Sequence, residues 1–432
     1  MQDRHASPTT RAHAALVLAD TLAAIVAGHR QPEVRAMVAR HAVAEGPGAV
    51  PLLGTSHAAP PPLAAFLTGL AGTAVELDEG NYAAGGHPAI HALAAALAEA
   101  PRARASGVAL LTAFLAGYEA GARVGAATRL RPAAHPHGTW GVVGAAAAVA
   151  SLRGLGPAET GRAALEVAAS LGLATSATAA PRGGSVRNAW AGMAAQNGLL
   201  AADLFEAGVT GEPGGVAAVF GAVIGEGFDA SGAAAAAAGG TSLIHQSFLK
   251  HAAACCRETH GALEAIESLL PLDPEAVAGV EVETFASAAA LAERAPPTPI
   301  AGRFSIPFVV ATRLVQGHAW IEAFSEAAVA DPRTRALAAR VAVRDDPALT
   351  ALLPARRVCR VAVRMADGAV RRAEVAGTPG DPDRPLPEAA LRDKFRRCVA
   401  PGFGARWEGL WRIARDPDGV ASAEALIRAF QG

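Results

Sequence analysis

The chain has 432 residues, of which 51% are hydrophobic and 18% charged, and its formal net charge is -1. That length is too great for one ordinary core and predicts about two or three domains, while the apolar content excludes a disordered chain. A near-neutral charge, with acidic and basic residues mixed, gives no footprint for nucleic acid or an anionic membrane.

The opening stretch Met1 to Arg11 has no apolar core, which argues against a secretory leader. The run Ala14 to Gly28 contains Asp20 and is shorter than the ~20 residues of a bilayer span, so a buried helix is expected there. From Thr10 to Phe248 one theme repeats: Ala- and Leu-rich stretches punctuated by Gly and Pro. Helices are predicted at Ala12 to Ala27, Glu33 to Ala44, Pro60 to Glu76, Ile90 to Ala100, Gly107 to Ala126, Thr139 to Leu152, Pro157 to Leu171 and Val186 to Ala207. In Gly141 to Leu152 small residues predict close helix packing. The alanine run Ala233 to Ala238 is expected to pack among these helices.

Near Asp273 the texture changes. Valines alternate with polar residues in Val277 to Thr284, a strand pattern, and further strands are predicted at Val341 to Arg344, Cys359 to Met365 and Ala369 to Val375. Ala366-Asp367-Gly368 supplies the turn of the last pair. Helices intervene at Pro307 to Gln316, Ile321 to Ala328 and Pro332 to Arg340, and helical pattern returns at Pro387 to Val399 and Ser422 to Phe430. The fold class is therefore mostly α: a large all-helical domain over residues 1–250, to which 386–432 return, and a smaller α+β domain over 251–385. Cys255, Cys256, Cys359 and Cys398 have no CxxC spacing and no disulfide framework, so reduced thiols and a cytoplasmic setting are expected.

Five glycine-punctuated breaks carry chemistry. Glu76-Leu77-Asp78-Glu79-Gly80 with His87 and His91 brings carboxylates and imidazoles to one bend, although Asp78 as a mere helix cap and His87 as a surface residue are the plain alternatives. His135-Pro136-His137-Gly138-Thr139 stands at the entrance to an apolar helix, whose free N–H groups suit a carboxylate. The HxH spacing lacks a third ligand, so no metal is expected. Arg187 follows Gly183-Gly184 and has the fork geometry to clamp a carboxylate. Lys250 lies where the helical texture hands over, placed to bind an anion or act as an acid; Cys255 and Cys256 read as core thiols. Arg303 enters a turn through Gly302-Arg303-Phe304-Ser305, and Ser305 lacks a GxSxG elbow, which gives no support to a hydrolase nucleophile.

The ordered set Glu76-Leu77-Asp78-Glu79…His87-Pro88, Gly117-Tyr118-Glu119, His135-Pro136…Gly138-Thr139-Trp140-Gly141, Lys250…Cys256-Arg257…His260 and Arg303-Phe304-Ser305-Ile306-Pro307-Phe308 resembles the MmgE/PrpD family. Leu18-Ala19-Asp20-Thr21-Leu22 resembles that family's first helix. The family contains 2-methylcitrate dehydratase, cis-aconitate decarboxylase and iminodisuccinate epimerase. The resemblance implies a helical domain and a lid with the active site in the cleft between them, a homodimer, and no metal or organic cofactor. It implies active-site places for the acidic pair Glu76 and Asp78, for His87 and His135, and for Lys250; with the reading of the breaks above, catalytic roles are expected for Asp78, His87, His135 and Lys250, and substrate binding for Glu76, Arg187, Thr139 and Arg303. Departures stand at Gly80, where the decarboxylase has threonine, at Arg187, where it has lysine, and at Phe308, where it has tyrosine. The loop before His87 also holds one extra residue, and the Lys250 segment is one residue longer than usual.

The expected activity is a dehydratase-like lyase acting on a small polycarboxylate or hydroxy acid by proton removal next to a carboxylate. Rival expectations are an epimerase or isomerase of a dicarboxylate, a decarboxylase of the cis-aconitate type, and a carboxylate-binding protein without turnover. Missing proton donors at Arg187 and Phe308 weigh against cis-aconitate decarboxylation.

Overall fold

A computed structural model describes residues 6–41, 48–231 and 242–432. The alanine run Ala233 to Ala238 lies outside them. The described chain is mostly α, with strands confined to one four-stranded sheet and short two-stranded pairs. It forms two compact units, Met1–Ala177 with Val186–Leu249 and Pro387–Gly432, and Thr178–Ser185 with Lys250–Leu386.

The first unit is built on helices α1 (Pro8–Gly28), α2 (Pro61–Thr73), α3 (Pro88–Glu99), α4 (Gly107–Ala127), α5 (Gly141–Leu152) and α6 (Arg187–Glu206). Ser7 starts α1 by accepting the Thr10 amide at 3.1 Å, and Pro8, Pro61 and Pro88 occupy first turns, where their missing N–H costs nothing. At 21 residues α1 is longer than the apolar run that announced it and has the length and composition of a membrane-crossing helix. Yet 78% of its apolar window is buried within the protein, as in a core helix.

Small residues set the packing, as the Ala/Gly pattern predicts. A Cβ on Gly117 of α4 would lie 2.5 Å from the Gly144 carbonyl oxygen of α5, so the two backbones touch there. The stretch predicted as one helix from Pro157 to Leu171 is α-helical only through Gly161, then π-helical over Arg162–Val167 and 3-10 over Ala168–Leu171. The returning helix Glu388–Phe403 is fastened from inside: Lys394 Nζ lies 2.6 Å from Asp20 of α1 and donates at 2.7 Å to the Leu77 carbonyl. All three residues are buried, so this cation ties the core to the loop that carries Glu76 and Asp78.

The second unit centres on strands β1 (Val277–Thr284), β2 (Val341–Asp345), β3 (Val358–Met365) and β4 (Val370–Ala376), in the spatial order β4-β3-β1-β2. β1 and β2 run parallel; the other pairs are antiparallel. Val280, Val282, Val361 and Val363 face a core shared with Ile266 of α7 (His260–Ser268) and with Val310 and Leu314 of α8 (Ile306–Gln316). Thr178–Ser185 belongs to this unit although its sequence neighbours do not; Thr298 donates to the Gly183 carbonyl at 3.3 Å. Phe308 is buried against Phe324, with ring centroids 6.0 Å apart.

Candidate active site

The site forms in the first unit, where the chain leaves α2. Glu76 takes a left-handed backbone conformation, φ 54°, which a residue with a Cβ adopts at a cost. In that conformation its carboxylate pairs with Arg187, the first residue of α6. Arg187 also donates to the Asn188 side-chain oxygen at 3.3 Å and the Thr73 carbonyl at 3.4 Å. Both members of the pair are 1% exposed, so the guanidinium acts on its surroundings chiefly through its field.

Two residues on, Asp78 turns inward. Its Oδ2 lies 2.9 Å from Nδ1 of His87 and 3.7 Å from Nε2 of His137. The Glu79 carbonyl oxygen lies 2.6 Å from the same His87 Nδ1. A carbonyl has no proton to give, so His87 carries its proton on Nδ1 and, when neutral, keeps a lone pair on Nε2. With 15% of its side chain exposed, against 1% for Asp78 and none for His137, His87 is the accessible member of the group.

The loop is held from behind. Tyr118 donates to Glu79 Oε1 at 2.5 Å, the Ala89 amide donates to Oε2 at 3.1 Å, and Asn81 Nδ2 donates to the Tyr118 oxygen at 3.0 Å. Burial pushes Glu79 up to about 8, which keeps it largely neutral near pH 7. The Asn81 side chain further accepts from the Ala84 amide at 2.9 Å and donates to the Leu243 carbonyl at 2.7 Å. Gly80 pairs with Phe248 in a short ladder, and a Cβ there would sit 2.1 Å from the phenyl Cζ. The absent side chain is thus what admits the Phe248 ring, which stands edge-on to His87 with centroids 6.3 Å apart.

Three more imidazoles surround this dyad. His137 stacks between His87 and His135, at centroid distances of 4.6 Å and 5.1 Å. His91, one turn into α3, lies 2.8 Å from the His87 carbonyl through Nδ1 and 3.4 Å from His137 Nδ1 through Nε2. Gly141 makes room for it, since a Cβ there would fall 2.5 Å from the His91 ring. Burial lowers His91 to about 4. Burial first, and then the charge of Arg187, holds His135 and His137 well below the ordinary imidazole value.

The residues singled out in the sequence fall into three places. Asp78 pairs with His87 and Glu76 with Arg187, and the charge of Arg187 reaches the imidazoles beside Asp78. His135 stands on the far side of His137, its Nδ1 accepting the His137 amide at 3.0 Å, and Thr139 donates to the Pro136 carbonyl at 2.6 Å within its own loop. Lys250 and Arg303 belong to the second unit. Lys250 is buried, and Arg303 donates to the Ala254 carbonyl at 2.6 Å and lies over Phe324. Not anticipated were the contact of His137 with Asp78, the support given by His91, and the brace of Glu79, Asn81 and Tyr118. The spacing of His87 and His91, four residues apart at a helix start, is the signal that marks His91.

Among the described residues, Asp78, His87 and His137 are the group whose ligand atoms, all within 4.8 Å of one another, have the spacing for a metal ion. The HxH pair does not act as one chelate, because the His135 Nδ1 lone pair is taken by the His137 amide.

Residues 2–223 match the MmgE/PrpD N-terminal domain and residues 253–415 match the MmgE/PrpD C-terminal domain. The chain belongs to the MmgE/PrpD family. Two relatives, cis-aconitate decarboxylases of Aspergillus terreus and of Aspergillus terreus (strain NIH 2624 / FGSC A1156), are each 27% identical to this MmgE/PrpD chain over 339 residues. Those alignments cover 72% of this chain and 68% of the relatives. The family includes dehydratases and a decarboxylase.

Proposed function

We propose that this chain is a cofactor-independent, dehydratase-like lyase that removes a proton next to a carboxylate of a small polycarboxylate or hydroxy acid. The observation that supports this most is the orientation of His87. Asp78 and the Glu79 carbonyl share its Nδ1–H, leaving the unprotonated Nε2 of this partly exposed side chain as a base. Asp78 then stabilises the imidazolium that forms, the role an aspartate plays behind a catalytic histidine.

In the proposed reaction the α C–H bond breaks as a proton passes to His87 Nε2. Electron density moves toward the carboxylate, within the field of Arg187. Elimination breaks the C–O bond, and His87 returns its proton to the departing hydroxyl, so that water leaves and the base is restored. His135 assists as a donor. Its Nδ1 accepts the His137 amide, which places its proton on Nε2. Catalytic action by Lys250 and substrate contacts from Arg303, Thr139 and Glu76 belong to the same proposal, as do a homodimer, which rests on the family resemblance, and a cytoplasmic setting, which rests on the cysteine pattern.

A panel of citrate-like, tartrate-like and aspartate-like acids in deuterated water tests the reading. A new alkene signal without added metal supports a lyase. Deuterium incorporation without net change would make the chain an epimerase, and binding without turnover would make it a carboxylate-binding protein.

A further inference from the structure

With each imidazole neutral, the short contacts of the histidine chain around Asp78 place the protons so that two acceptors face each other. His91 Nδ1 lies 2.8 Å from the His87 carbonyl oxygen, so His91 carries its proton there and offers a lone pair on Nε2. That lone pair faces His137 Nδ1 at 3.4 Å, which places the His137 proton on Nδ1. His137 Nε2 is left as a lone pair directed at Asp78 Oδ2, 3.7 Å away. Among the described residues no hydrogen bond reaches this fully buried nitrogen. A lone pair opposite a carboxylate oxygen calls for a cation between them.

The spacing suits one. Two ligand atoms bound tetrahedrally at about 2.1 Å stand roughly 3.4 Å apart, a few tenths of an ångström from the observed separation. A third donor is at hand in His87 Nδ1, 2.9 Å from the same carboxylate oxygen. His137 already has the outer contact of a metal-bound histidine, its other ring nitrogen donating to His91. Two imidazoles and one carboxylate select zinc-class ions over magnesium or calcium.

We infer that Asp78, His87 and His137 form a binding site for a divalent transition-metal ion of the zinc class, and that the bound ion inhibits the enzyme. Coordination through His87 Nδ1 displaces that nitrogen's contact with the Glu79 carbonyl and moves the ring proton to Nε2. No net proton is released, but the lone pair assigned to catalysis is lost. The inhibitory part rests on the proposed role of His87; the binding part does not.

Tag-free protein, dialysed against chelator, is titrated with Co2+ while visible absorption is recorded. The expected result is a saturable band at one Co2+ per chain that Zn2+ displaces, with turnover falling in parallel. The band is lost in His137→Gln and in Asp78→Asn but persists in His135→Gln. No saturable band, or a band surviving in both His137→Gln and Asp78→Asn, overturns the site, as does a band that depends on His135. If His137→Gln fails to fold by circular dichroism, Asp78→Asn and His87→Gln decide. Absent Co2+ binding with normal turnover removes the metal site and leaves the lyase reading intact. Turnover that requires metal keeps the site and overturns inhibition.

Discussion

Asp78 and His87 form a directed pair: the carboxylate lies 2.9 Å from Nδ1, and the Glu79 carbonyl, at 2.6 Å, fixes the same proton. The two ring nitrogens of His87 are thereby made unequal. Asp78→Asn keeps the shape but presents the imidazole with a neutral amide, and turnover is expected to fall about 10²- to 10⁴-fold. Steady-state kinetics check this. The loss should fall in kcat rather than in KM, and an unchanged kcat contradicts the pairing.

His91 is expected to matter without touching substrate. His91→Phe keeps the ring volume that Gly141 accommodates but leaves the His137 Nδ1–H without its acceptor and the His87 carbonyl without its donor. A loss of about 1–3 kcal/mol in denaturant unfolding is expected for buried groups left unmatched. His91→Gln, which retains a donor and an acceptor, should recover part of it.

Glu79 gives the protein a pH dependence of known sign. Its folded value is raised to about 8 from 4.5, so between those values the folded state holds a proton that the unfolded state has released. Stability is therefore greatest at low pH within this window and falls as pH rises through it, by an amount on the order of several kcal/mol when complete. Glu79→Gln should flatten the fall in melting temperature between pH 5 and pH 8. An unchanged slope counts against a neutral Glu79.

Gly80 and Phe248 are expected to be coupled. In Gly80→Ala the new methyl meets the phenyl ring, at a cost of about 1–3 kcal/mol for overpacking. Phe248→Leu should relieve it, so the double variant is more stable than the two single losses predict. Additive losses in denaturant titrations would show that the ring moves aside freely.

Much of this was legible from local signals. Prolines at first helical turns, small residues at crossings and alternating valines are short-range patterns, and the structure has helices and strands at those places. The acidic bend, His87 and Arg187 were legible because polar residues interrupt an alanine-rich background. The partnership of His137 with Asp78 was not, because it depends on how α3 and the loop before α5 stack their rings. Nor was the pairing of Arg187 with Glu76, which needs a left-handed backbone at a residue whose type gives no sign of it. Gly80 read as a turn; its function is to admit a ring from 168 residues further along. The π-helical stretch Arg162–Val167 carries no periodicity that separates it from an ordinary helix.

The role proposed for His87, removal of the proton next to a substrate carboxylate, can be read at the C–H bond itself. It is tested most directly by following loss of the α-deuterium label from a turned-over hydroxy acid, in the unmodified enzyme and in His87→Gln with folding confirmed. A primary isotope effect is expected in the unmodified enzyme, with a fall in C–H cleavage of about 10²- to 10⁴-fold in the variant. Undiminished cleavage in a folded His87→Gln protein would contradict it.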